Sequence, residues 1–126
     1  MIEEAYCSFE VSKLLKEKGF DEKVSTYYLV HSNDFPEFFN KKDEFPDPED
    51  VWLKCPTHQM ATKWLREVHD IFIKFESVTA SGITEWHPSL NLITENKYIH
   101  ANKLHWYPSY EEAVEAALKY CLENLI

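Results

Sequence analysis

The chain has 126 residues, 44% of them hydrophobic and 15% aromatic, and a formal net charge of −9 from 13 basic and 22 acidic side chains. That length fits one domain able to bury its own core, and that apolar content excludes a disordered chain. The charge opposes a phosphate backbone unless a basic stripe offsets it, and the longest basic runs are pairs and near-pairs such as Lys41-Lys42 and Lys13/Lys16/Lys18, which read as solvated faces.

The opening MIEEAYCSFEV has no basic n-region and no long apolar h-region, so no signal peptide is expected. No apolar run approaches the ~20 residues needed to span a bilayer. A first helix is expected from about Phe9 to Lys18, with Ser8 as N-cap and with Val11, Leu14, Leu15 and the Lys18 stem at helical spacing. Gly19 stops it by taking the left-handed conformation, and Phe20 is placed to meet Leu15 as in a Schellman motif. STYYLVH, Ser25 to His31, is rich in β-branched and aromatic residues and reads as a strand.

A long irregular segment follows over residues 32–56. Its core, FPEFFNKKDEFPDPEDVWLKCP, holds Pro36, Pro46, Pro48 and Pro56, which break helices and ladders. A short strand is expected near Val51 to Lys54. Thr57 caps a second helix whose apolar face is Met60, Ala61, Trp64, Leu65 and Val68. In IFIKFESVT, Ile71, Ile73 and Phe75 alternate with Phe72, Lys74 and Glu76, the pattern of a half-buried strand. Ala80 to Gly82 makes a tight connection to a second strand, Ile83 to Thr94, bent near Pro88. Glu95 to Lys97 turns into a third, Tyr98 to about Trp106. The last helix opens with Ser109 and Glu112 as a capping box and carries Tyr110, Val114, Ala117, Leu118, Cys121, Leu122 and Leu125 on one face.

The order is α-β-(loop)-α-β-β-β-α. It predicts an α+β fold, a small antiparallel sheet of three to four strands packed against two to three helices, in a single domain over 1–126.

Double-stranded-RNA-binding domains also run α-β-β-β-α, but they need a basic start to the last helix, and here that turn is SYEEAVEA. No nucleic-acid or membrane partner is expected. Only two glycines occur, which excludes the usual Gly-rich phosphate loops. Cys7, Cys55 and Cys121 are odd in number and widely spaced, so a reducing cytoplasm is expected and a disulfide framework is not. Cys55 and His58 have the spacing of half a zinc site, with His100 and His105 as distant further ligands, but no finger-type histidine pair completes it. His58 and His69 stand ~16 Å apart along one helix and cannot share an ion directly. No cofactor is expected. No G-x-S-x-G elbow occurs. Cys121, on the apolar face of the last helix, reads as an inert hydrophobe, and Cys55 reads as nearer the surface and the more reactive thiol.

The aromatic residues Phe35, Phe38, Phe39, Phe45 and Trp52 stand out in a loop that should lie on the surface. They either fold back as a small cluster beneath it or form a patch rimmed by Glu37, Asp43, Glu44, Asp47, Glu49 and Asp50. Aromatic anchors inside a charged rim suit a protein interface. The leading expectation is a non-enzymatic interaction module binding a protein partner or a second copy. The alternative is a small hydrolase or metal-binding enzyme using His58, His69, Cys55 or His100.

The segments SFEVSKLLKEKGF, CPTHQMATKWLREVHDIFI and SYEEAVEAALKYCLENLI, residues 8–20, 55–73 and 109–126, resemble a family of small uncharacterised proteins of gut anaerobic bacteria and their phages or mobile elements. They cover under half of the chain. No activity, cofactor or functional residue attaches to that family. The resemblance implies a cytoplasmic protein of phage origin. Because the matching pieces are mainly the expected helices, it implies a shared scaffold rather than a shared active site.

Overall fold

The computed structural model describes residues 2–30, 35–39, 51–99 and 105–126. The elements run α1 (Phe9–Glu17), β1 (Tyr27–Val30), β2 (Glu37–Phe39), β3 (Val51–Lys54), α2 (His58–His69), β4 (Ile71–Ala80), β5 (Ile83–Leu92), β6 (Lys97–Ile99) and α3 (Tyr110–Asn124). The α+β class and the order of elements follow the sequence pattern, with one addition. Strand β2 arises inside the proline-rich segment, and the six strands form two antiparallel sheets of three, ordered β2-β1-β3 and β4-β5-β6. The chain falls into two compact units, Met1–Thr57 and His58–Ile126, each with one sheet.

In the first unit, Ser8 caps α1 by accepting from the Val11 N–H at 3.1 Å. The helix ends as its glycine dictates. Gly19 has φ +93°, its N–H reaches the Lys16 carbonyl, and the Phe20 N–H reaches back to the Leu15 carbonyl at 2.9 Å. These are the two bonds of a Schellman motif, and they seat Phe20 in the core with Val11 and Leu15. Strand β1 pairs with β2 on one side (Tyr28 opposite Phe38) and with β3 on the other (Tyr28 opposite Leu53). The β1–β3 ladder runs one register further through Thr26, which accepts the Cys55 N–H on its carbonyl and donates its hydroxyl to the Cys55 carbonyl. Cys7 bonds to Pro56 beside it.

In the second unit, β4 and β5 form a ten-residue hairpin closed by Ser81 (φ 52°) and Gly82 (φ 78°), both in the left-handed region that a two-residue hairpin turn requires. Its inner half packs Ile71, Ile73 and Leu90, while residues 76–85 of its outer half are exposed. Strand β5 is central, which makes Pro88 unusual there. Trp86 gives and takes its backbone bonds with Tyr107, both 2.7 Å. Counting on by two, the missing Pro88 N–H points to that same side, so the ladder to β4 loses no donor.

Helix α3 is capped by Ser109, which accepts the Glu112 N–H at 3.1 Å. It buries Ala113, Val114, Ala117, Leu118, Cys121 and Leu122 against β5 and β4. The buried face stops short of the expected one at each end. Tyr110 is 43% exposed, tilted against Phe75 and edge-on to Trp86, and Leu125 is half-buried. In α2, Val68 is 55% exposed although it shares the angular position of Trp64 and Leu65. Periodicity fixes where a side chain points, not whether anything lies opposite its turn. Of the expected third strand, β6 covers Lys97–Ile99 and residues 100–104, His100 among them, lie outside the described residues, as does His31 at the end of the first expected strand.

Leu118 is fully buried, so Leu118→Ala should lower the free energy of unfolding by about 2–5 kcal/mol. Urea titration at neutral pH measures this. A loss under about 1 kcal/mol would mean that the α3 stripe is not packed as described.

Candidate functional site

Side chains alternate across a strand, so the paired aromatics of the first sheet must separate onto its two faces. On one face Tyr28 meets Phe38 edge-on at 5.8 Å, Phe38 meets Tyr6 at 5.0 Å, and Tyr28 meets Phe9 at 5.7 Å. The Tyr28 hydroxyl donates to the Cys7 carbonyl at 2.9 Å and so fixes this cluster to the N-terminal segment. On the other face Trp52 stands edge-on to Tyr27 at 6.2 Å and to Phe39 at 5.8 Å.

These clusters are only partly covered. Phe38 and Phe39 remain 42% and 38% exposed, and all three residues of the edge strand β2 are open to solvent. Phe35, just before it, is 91% exposed. The two alternatives read from sequence therefore both describe part of the segment. Phe38, Phe39 and Trp52 make ring contacts, Phe35 stands clear, and Glu37 is exposed beside them. Phe45 and the acids from Asp43 to Asp50 lie outside the described residues.

The cysteine and histidine candidates are placed differently from expectation. Cys55 is not near the surface. It is fully buried, its backbone is held by Thr26, and its thiol donates to the Cys7 carbonyl at 3.2 Å. Its place in line with the β1–β3 ladder draws it inward, which its proline neighbour had obscured. His58 opens α2 in the second unit, 8% exposed, with Nε2 2.8 Å from Oε1 of Glu115 on α3. Among the described residues its Nδ1 is buried without a hydrogen-bond partner. His69 lies against Trp64, ring centroids 4.7 Å apart, and its Nε2 is buried without a partner among the described residues. His87 stacks on Trp106 at 4.9 Å and bonds through Nδ1 to the His105 carbonyl.

A histidine oriented by a carboxylate is the base-and-orienter half of a nucleophilic site. The second unit's cysteine does not complete it. Burial pushes the Cys121 thiol up from 9.0 to about 12, so it stays protonated and non-nucleophilic at neutral pH.

Glu115 was missed in the sequence, yet a signal was there: it sits three and seven residues before Leu118 and Leu122, a carboxylate on the apolar stripe. Ser12 carries a similar signal. It stands three residues before Leu15 and is buried with its hydroxyl unpartnered among the described residues. Among the described residues no helix is long and apolar enough to cross a membrane. Comparison with protein-family models, with curated proteins and with solved structures gives no match.

The raised Cys121 value implies a sign for alkaline stability. Below pH 9 the thiol is neutral whether the chain is folded or not, and its contribution is fully present. Above pH 9 the unfolded thiol ionises while the folded one does not, so stability falls as pH rises towards 12. Urea melts between pH 8 and 11 should therefore show a shallower alkaline decline in Cys121→Ala than in wild type. Parallel declines would mean that the thiol titrates normally.

Proposed function

We propose that the first unit is a non-enzymatic protein-interaction module that engages its partner through β2 and the aromatic residues around it. The observation that carries this reading is the edge position of β2 among the described strands, with Phe38 and Phe39 half open on its two opposite faces and Phe35 exposed just before it. An open edge offers backbone donors and acceptors to an added strand, and aromatic anchors supply contact area at low entropic cost. At three residues β2 is short, so the rings contribute more than the ladder. Glu37 sets the acidic rim.

A second copy of the chain is the first partner to consider, because an exposed edge can pair with itself across a two-fold axis. A narrower version draws on the resemblance to phage and mobile-element proteins: a cytoplasmic, acidic protein that covers a basic nucleic-acid-binding surface of a host protein. That version requires salt-sensitive binding, and a complex unchanged at high salt would rule it out.

Light scattering behind size exclusion tests the self-association reading. Wild type should elute at twice its 15.0 kDa mass, and Phe38→Ala/Phe39→Ala at the monomer mass. The variant loses ring pairs that contribute about 0.5–1.5 kcal/mol each, so its melting temperature drops while the fold survives. A monomeric wild type removes self-association and leaves a foreign partner, to be sought by crosslinking at Phe35. A double variant that fails to fold assigns the rings to the core and removes the interface in either form.

A further inference from the structure

We propose that the open side of β4 in the second unit is a self-complementary edge that pairs, antiparallel and across a two-fold axis, with β4 of a second copy of the chain. This surface lies apart from β2, and the inference stands whether or not the first unit self-associates.

Strand β4 is an outer strand of its sheet, ordered β4-β5-β6, and at ten residues it is long for an edge. Among the described residues no backbone bond reaches its outer side. The devices that blunt such edges are missing from IFIKFESVTA. It has no proline and no glycine, and its one lysine is answered by Glu76 two positions on, Nζ to Oε1 3.8 Å. Every residue from Glu76 to Ala80 is exposed, as are Phe72 and Lys74.

The hairpin decides which residues face that side. The two-residue turn at Ser81-Gly82 makes Ala80 and Ile83 a pair that exchanges both backbone bonds. Counting back by two, Val78, Glu76 and Lys74 turn their backbone groups towards β5, and Thr79, Ser77, Phe75 and Ile73 turn theirs outward. The bonds from Trp86 to Tyr107 agree with this phase, because Trp86 stands opposite Ser77 and also faces away from its hairpin partner.

An antiparallel neighbour must set outward residues opposite outward residues, which excludes every second register. Of those left near the middle of the strand, an axis at Lys74 sets lysine against lysine and an axis at Glu76 sets glutamate against glutamate. Like charges directly opposite destabilise a pair. The axis at Phe75, between them, sets Lys74 of each copy opposite Glu76 of the other. It also sets Phe72 opposite Val78, which are 42% and 52% exposed. All of these are non-hydrogen-bonded pairs, in which side chains approach most closely, while Ile73, Phe75 and Ser77 carry the ladder. Charge and apolar surface therefore match in one register, and the strand that matches β4 is β4 itself.

The experiment is sedimentation equilibrium of the full chain carrying Phe38→Ala/Phe39→Ala, which removes the β2 route, from about 20 µM to about 1 mM. A monomer–dimer equilibrium is expected with a Kd of about 0.1–1 mM, the transient range that suits so short a ladder. At the tens of micromolar of a sizing column it is largely dissociated. Lys74→Glu alone and Glu76→Lys alone should each weaken association at least about tenfold, because each sets like charges opposite one another on both sides of the axis. Mixed in equal amounts, these two variants should associate at least as well as the parent, since every cross-pair then joins opposite charges. If Phe38→Ala/Phe39→Ala does not fold, the mixing is done in the otherwise wild-type chain, where β2 is common to all samples and the readout is the mass gained on mixing.

Hydrogen exchange gives a second readout. As concentration rises, the Phe75 and Ser77 amides should become protected, while those of Lys74 and Glu76, already bonded to β5, should not change. A chain still monomeric at 1 mM overturns the proposal. So do single charge variants that associate as the parent does, a mixture no better than its components, or association without protection at Phe75 and Ser77.

Discussion

Neighbouring residues on a strand must face opposite ways, and in the first unit this rule acts on two aromatic pairs at once. Tyr27-Tyr28 on β1 and Phe38-Phe39 on β2 are each split across the sheet, and the register then decides who meets whom. Tyr28 falls opposite Phe38 and Tyr27 opposite Phe39, so each face gains a cluster built from one member of each pair. A one-residue slip would exchange the faces and detach Phe38 from Tyr6. The register therefore sets the packing and the surface together: it places the rings that hold the sheet and leaves β2 as an edge with its rings half open.

The second unit solves a different problem. Its hairpin is longer than its covering layer. Helix α3 and the segment through Trp106 and Tyr107 enclose the inner part of β5, where four successive residues, His87 to Leu90, are buried on both faces. Beyond them the strands continue into solvent, held by backbone pairing and by cross-strand contacts such as the Thr79–Thr84 hydroxyl bond at 2.7 Å. Proline fits the central strand because its absent donor faces the side that β4 does not use.

What the sequence made legible was local. The cap of α1, its glycine stop, the hairpin turn at Ser81-Gly82 and the N-cap of α3 each depend on residues within a few positions of one another, and each formed as expected. Partner choice was not local. Nothing near Glu37 announces that it will pair with β1, and no periodicity tells β1 and β3 to form a sheet separate from β4, β5 and β6. The burial of Cys55 depends on Thr26, and the His58–Glu115 pair joins positions 57 apart in the chain. The aromatic candidates were legible as residue types, whereas their division between the two faces required the register. The open side of β4 was the least legible feature, since which residues face it depends on the turn at Ser81-Gly82 and on the pairing with β5.

All three cysteines are reduced and covered. For anyone working with the protein in solution, the native thiols then act as a clock that starts only when the structure opens: a thiol-directed dye meets them at the rate of local or global unfolding. A single new cysteine placed on the outer hairpin would react in seconds beside three silent ones. One chain could thus carry a surface label and an internal gauge of its own integrity without losing a native residue from its core.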